Sequence, residues 1–152
     1  MIDLAGRNAA IQSATPEAFT ALRPAFCERM GGEPALVRAD NTYYLRNPDG
    51  TAARFNLCVF PNCGAACVLC DLWVAKQLRR KGVGGLLLQL QTQVARRCRM
   101  HLLLCTVRQR NAAMLHLLEQ AGWAAAGSCF TNPETGNTLR LMCRTLEGEP
   151  IA

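Results

Sequence analysis

Between Leu72 and Leu118 the chain has no aspartate and no glutamate. The same stretch carries Lys76, Arg79, Arg80, Lys81, Arg96, Arg97, Arg99, Arg108 and Arg110. A region of one sign attracts a polyanion without saying which. Long apolar runs are missing as well. None approaches the roughly 18 residues of a spanning helix, so no membrane partner is expected. The start, Met1-Ile2-Asp3-Leu4, has neither a basic segment nor an apolar signal, and a soluble cytoplasmic protein is expected. Repeats, low-complexity tracts and linkers are absent. The 152 residues suit one domain, 1–152, with a sizeable core. Aromatics make up only 6% of residues, too few for a base-stacking platform. That argues against nucleic acid, the obvious alternative partner for a chain with net charge +6 and 15 Arg to 2 Lys.

Cysteine, by contrast, is plentiful at nine residues. An odd count without a signal segment argues against a disulfide scaffold. Cys58, Cys63, Cys67 and Cys70 fall close together, so a metal has to be considered. Zinc sites pair cysteines across tight turns, whereas Cys67-x-x-Cys70 lies in a strand-like run. Positions i and i+3 of a strand face opposite ways, and the spacing matches no familiar iron–sulfur pattern. No metal is expected, and the cysteines read as small buried hydrophobes. Cys105 lacks an activating base: His101, four residues back along a strand, is roughly 13 Å away.

The elements read as follows. Ile2–Gln12 is expected to hold a first strand. Thr15 caps a helix with Pro16 at its first position, running to Met30 with Phe19, Leu22, Phe26 and Met30 on one face and a kink or break at Pro24. Strands follow at Ala35–Arg38, Thr42–Arg46, Ala53–Phe60 and Ala66–Val74. Asn47-Pro48-Asp49-Gly50 and Pro61-Asn62-Cys63-Gly64 are the turns of a three-strand meander. Gly84–Arg97 is helical, with Leu87, Leu90, Val94 and Cys98 as its core stripe. Met100–Val107 is a strand parallel to Ala66–Val74, because a helix joins them. Asn111–Gln120 is a helix stopped by Gly122. Trp123–Phe130 and Thr138–Arg144 form a hairpin. The sum is a mixed α/β sheet.

Arg79-Arg80-Lys81-Gly82-Val83-Gly84-Gly85 joins the strand ending at Val74 to the long helix. Glycines let backbone N–H groups approach a pyrophosphate closely, and a helix start adds unpaired donors and a positive dipole end. Arginine forks onto phosphate oxygens. The competing reading is a plain turn with a solvated basic cluster. A Walker loop needs Gly-x-x-x-x-Gly-Lys-Ser/Thr, which is absent. The dinucleotide fingerprint needs a third glycine where Leu87 stands, and an acid in the next strand, where there is none.

The pattern Arg79-x-x-Gly82-x-Gly84 resembles the acetyl-CoA loop of the GNAT superfamily of N-acetyltransferases. Asn111, followed eleven residues later by Gly122-Trp123, resembles that family's Asn and Gly-Phe pair, and Leu72-Trp73-Val74 its Leu-x-Val strand end. The resemblance covers residues 68–123; the flanks match only in element order. It implies a mostly antiparallel sheet, flanked by helices, whose two parallel strands splay apart to admit the pantetheine arm. It implies acetyl-CoA as cosubstrate and an amine as acceptor, with direct attack in a ternary complex. Carried over by position, Arg79, Arg80, Lys81, Gly82, Val83, Gly84 and Gly85 would hold the phosphates. Leu72, Trp73 and Val74 would lie along the arm, with the Leu72 amide as oxyanion donor, and Asn111 would contact the arm or simply cap its helix.

Two departures bear on proton handling. The tyrosine many members carry seven residues after the Asn is Leu118 here. His116 sits about 200° around the helix from it, and reads as a surface or packing residue. Asp71, the only acid between Asp49 and Glu119, is the candidate to orient or deprotonate the amine, but Cys70 replaces the acid that precedes it in small-amine acetyltransferases. Three readings stay open: an N-acetyltransferase, a non-catalytic acyl-CoA sensor, and a basic binding domain with an incidental glycine loop. The late strands and an apolar Leu/Ala surface leave room for a homodimer.

Overall fold

The first 27-residue stretch of the structure is one helix, α1 (Leu4–Met30). The structure is a computed structural model describing residues 4–60 and 66–146, with the side chains of 5–60 and 72–146. The expected strand over Ile2–Gln12 is therefore corrected: from Leu4 onward this segment is helical. Ala5, Ala9 and Ala10 favour a helix, and Ile11, Ala18, Phe19, Phe26 and Met30 are buried at helical spacing. Thr15 does not cap. It lies inside α1, and its hydroxyl donates to the Ile11 carbonyl at 2.6 Å. Pro16 and Pro24 both lie within α1, which continues through them. Both prolines are exposed.

The meander has four antiparallel strands rather than three: β1 (Ala35–Ala39), β2 (Thr42–Arg46), β3 (Ala52–Val59) and β4 (Ala66–Val74). The turn at 61–64 lies outside the described residues. The Asn47–Gly50 turn closes through Gly50 N–H to the Asn47 carbonyl at 2.9 Å. Buried Asn47 also donates from Nδ2 to the Met30 carbonyl at 2.9 Å, tying the turn to the end of α1. After β4 come a 3-10 turn (Lys76–Leu78), α2 (Val83–Arg97), β5 (Leu102–Arg108) and α3 (Ala112–Gln120). Then follow β6 (Ala124–Ala125), β7 (Phe130–Thr131) and β8 (Thr138–Thr145).

The sheet order is β1-β2-β3-β4-β5-β8-β6, with β7 also on β8. Every pair is antiparallel except β4–β5, which α2 joins as a crossover. The expected strand Trp123–Phe130 is instead two short pieces. β6 pairs at Met142–Cys143 and β7 at Thr138–Leu139, interrupted around Gly127, whose φ is +75°. A left-handed residue does not fit an extended strand, so pairing stops and resumes.

Alternation along the strands sends Tyr43, Leu45, Ala53, Phe55, Leu57, Val59, Leu103, Cys105, Val107 and Met142 to one buried face. The α2 stripe of Leu87, Leu90, Val94 and Cys98 is buried, and α1 packs beside α2. Tyr43 and Phe55 stack across β2–β3 with ring centroids 5.0 Å apart. Burial pushes the Tyr43 hydroxyl and the Cys98 thiol upward in pKa, so both stay protonated at neutral pH. No helix among the described residues is long and apolar enough to cross a membrane.

Candidate active site

β4 and β5 pair only at Ala66–Val68 with Leu102–Leu104. Beyond Val68 they part. β5 stays fully paired with β8 as far as Arg108, and β4 stays paired with β3 up to Val74. The inner edge of β4 over Leu72–Val74 thus faces a gap. The β3–β4 register also slips there: Arg54 lies opposite Trp73, and Asn56 opposite Cys70. Phe55 alone therefore opposes two residues, Asp71 and Leu72, which makes a β-bulge. A bulge leaves a residue outside the ladder, disrupts the pairing locally and bends its strand. It also breaks the strict alternation of faces along β4 at Asp71 and Leu72. The Asp71 side chain lies outside the described residues, as do those of Cys67 and Cys70.

The gap opens into a cleft of about 830 Å³. Its floor is Leu72, Trp73 and Val74; one wall is Arg79, Arg80, Gly82, Val83, Gly84 and Gly85; the other is α3 with Asn111. The phosphate-loop wall is shaped by backbone. Arg80 has φ of 63° and Gly82 has φ of +81°, two left-handed residues in three. Arg79 Nε donates to the Val74 carbonyl at 3.0 Å, which closes the loop onto the strand end. From α1, Arg29 Nη1 donates to the Gly82 carbonyl at 3.1 Å. The same carbonyl accepts from Leu86 N–H at 3.2 Å, the first helical bond of α2. The amides of Val83, Gly84 and Gly85 precede that bond and have no helical partner. With no acid in the first turn, this end of α2 suits phosphate oxygens.

On the facing wall, Asn111 caps α3: its Oδ1 accepts from Met114 N–H at 3.2 Å. Asn111→Ala is expected to cost about 1 kcal/mol of stability. Denaturant titration with and without CoA checks this; a larger loss with CoA present assigns Asn111 a ligand contact as well as a cap. Leu117 packs against the glycines, so close that a Cβ at Gly84 would meet Leu117 Cδ2 at 3.4 Å. Leu118 is fully buried and faces the core. The helical angle between residues 116 and 118 then turns His116 into the cleft wall. His116 is a surface residue, and its surface is the wall of the cleft.

Of the residues singled out from sequence, Leu72, Trp73, Val74, Arg79, Arg80, Gly82, Val83, Gly84, Gly85 and Asn111 line one cleft. Lys81 is exposed beside it and does not line it. Sequence reasoning missed Arg29, 53 positions from Gly82, for which it holds no signal. It also missed Gln91, fully buried in α2, whose Nε2 donates to the Asn56 carbonyl at 3.0 Å beside the bulge. A glutamine within the leucine stripe was the available clue. Trp73 carries the Arg54 guanidinium over its ring at 5.2 Å. Among the described residues no cluster of His, Cys, Asp and Glu is arranged to hold a metal.

A pyrophosphate cradle at one end and an open strand edge at the other fit a molecule with a phosphate head and an amide-bearing arm. The model of the Acetyltransferase (GNAT) family matches residues 8–123. No curated protein sequence matches. Among solved structures, the chain is similar to the ribosomal-protein-S18-alanine N-acetyltransferase of Escherichia coli, with TM-score 0.59 and 18% identity over 85% of this chain and 81% of that one. It is similar to a putative acetyltransferase of Salmonella typhimurium with its cofactor acetyl-CoA, at TM-score 0.60 and 19% identity over 72% and 66%. It is also similar to an IAA acetyltransferase of Bacillus cereus, at TM-score 0.57 and 16% identity over 69% and 77%. At these identities the structures speak for the fold, while the family match covers most of the chain. The chain belongs to the GNAT family of acetyltransferases, whose cosubstrate is acetyl-CoA.

Proposed function

We propose that the protein moves the acetyl group of acetyl-CoA onto a primary amine, by direct attack of the amine in a ternary complex. The observation that carries this reading is the combination at β4: an inner edge released from β5 after Val68, bulged at Asp71–Leu72, and ending in a glycine-opened helix start. Acetyl-CoA supplies the activated thioester. The amides of Val83, Gly84 and Gly85, with Arg79 and Arg80, hold its phosphates. The β4 edge at Leu72–Val74 aligns its arm as an added strand would. The Leu72 amide, beside the bulge, donates to the acetyl oxygen as negative charge develops there; one such donor contributes about 3–4 kcal/mol to the barrier reduction.

As the new C–N bond forms and the C–S bond breaks, the amine must lose a proton and the thiolate must gain one. Asp71 lies at the bulge by strand register and is assigned the amine end, orienting the ammonium or accepting its proton through water. With Leu118 buried, no tyrosine stands at the usual donor position, and solvent protonates the thiolate.

The test is free-thiol release from acetyl-CoA against polyamines, aminoglycosides, amino acids and peptide N-termini. Amine-dependent release is expected, and Asp71→Ala should raise the amine KM or lower kcat. Unchanged kinetics in that variant remove Asp71 from the mechanism. CoA binding without release for any amine favours a non-catalytic acyl-CoA module, the reading to which the buried Leu118 lends support.

A further inference from the structure

A second cavity, of about 350 Å³, lies on the β5–α3 connection. Arg108, Gln109 and Arg110 line it from the end of β5, and Gly136, Asn137 and Thr138 from the turn between β7 and β8. No carboxylate lines it. Among the described residues, neither arginine side chain has an ion-pair or hydrogen-bond partner. The acid of the turn, Glu134, is exposed and outside the lining.

The backbone around the cavity is already bonded. Gln109 N–H donates to the Thr138 carbonyl at 2.9 Å, and Asn111 N–H to the Arg108 carbonyl at 2.9 Å. Asn132 N–H donates to the Asn137 carbonyl, and Gly136 N–H to the Asn132 carbonyl, both at 2.8 Å. The register Arg108↔Leu139 anchors both sides to one strand pair. The lining residues carry two guanidiniums, two side-chain amides and a hydroxyl. That donor set suits a carboxylate or phosphate, onto which arginine forks. Two positive charges in a lining without a carboxylate favour an anion there.

Position links the cavity to the cleft. Arg110 directly precedes Asn111, which lines the cleft, and consecutive Cα atoms are about 3.8 Å apart. The pyrophosphate donors stand on the β4 side of the gap, at the start of α2, whereas this cavity stands on the β5 side. We propose that it binds an anionic group, carboxylate or phosphate, on the acceptor, so that the preferred acceptor is an amine bearing a negative charge. This rests on the acetyl-transfer reading above and narrows its substrate class away from polyamines.

The test compares matched acceptors: glycine with glycinamide, and O-phosphoethanolamine with ethanolamine. The wild type is expected to prefer the anionic member of at least one pair by about 10- to 100-fold in kcat/KM, the scale of a charge-assisted contact. The double variant Arg108→Gln, Arg110→Gln should bring that ratio towards one. A wild type that prefers the neutral members, or a ratio the double variant leaves unchanged, overturns the inference. So does a double variant that loses affinity for CoA but not for dephospho-CoA, since the cavity would then hold the cosubstrate's own phosphate. Calorimetry of the anionic amines with CoA present is read in parallel. If the wild type releases no thiol, binding heat that the double variant lacks still upholds the cavity, and equal or absent heats overturn it.

Discussion

Gly82→Val is expected to lower affinity for CoA on the order of 100-fold or more. Gly82 has φ of +81° as the N-cap of α2, a conformation a β-branched residue enters only with strain. A Cβ there would also lie 2.8 Å from Arg29 Nη1. The arginine end is flexible and exposed, so the overlap is relieved by releasing it, but the Arg29 bond to the Gly82 carbonyl is lost with it. The loop then relaxes away from the geometry that aims Val83, Gly84 and Gly85 at one point. Losing two amide bonds to a charged phosphate, at about 1.5–3 kcal/mol each, removes at least two orders of magnitude. Gly85→Ala is the control. Its Cβ would meet Leu117 Cδ1 at an ordinary 3.8 Å, and alanine favours a helix. Calorimetric titration with CoA checks both. Wild-type affinity in Gly82→Val would mean that the phosphates are not held at this loop.

Phe55→Ala is expected to destabilise the fold by about 3–5 kcal/mol, the range for removing a buried aromatic side chain. Phe55 is fully buried and stacks on Tyr43 with an interplanar angle of 10°. Domains of this kind are stable by about 5–15 kcal/mol, so the variant sits near the edge of folding. Phe55 is also the single residue opposite the two-residue bulge at Asp71 and Leu72. Phe55→Leu, which keeps most of the volume, is expected to cost about 1–2 kcal/mol. Urea denaturation with a common slope for the three proteins measures both losses. An alanine variant within about 1 kcal/mol of wild type would contradict the packing described at this strand pair.

These two positions differ in how readily sequence gives them away. Gly82 is legible because its signal is local: a glycine between three basic residues and a helix start has few other uses. Strand β4 was likewise read with its observed bounds, and α2 within one residue, since both carry periodic apolar patterns. Phe55 reads from sequence only as a strand residue. Its place opposite the bulge depends on register between two strands, which no single strand encodes. The same limit hid Arg29 beside Gly82 and turned the first segment into a strand on paper. Ala5, Ala9 and Ala10 give the first segment some helical preference, but most of the stability of α1 comes from burial of residues such as Ile11 and Phe26, which local sequence does not display. That the exposed His116 borders the cleft was hidden for a related reason: helical geometry gives angles between residues, while the zero of rotation comes from packing.

The parting of β4 from β5 also bears on solubility. An unpaired strand edge ordinarily recruits strands from other molecules, and sheet proteins blunt such edges with charge, brevity or cover. Here the bare edge is not at the rim. It lies inside the V made with β5, whose facing edge is likewise unpaired beyond Leu104 while its other edge is paired with β8. A neighbouring strand needs about 4.8 Å of clear width along its whole length, and a V that closes at Val68 offers that only towards its mouth. The recess therefore admits a thin chain end-on and excludes a flat one side-on. Selectivity against self-association is built into the backbone, before any side chain contributes.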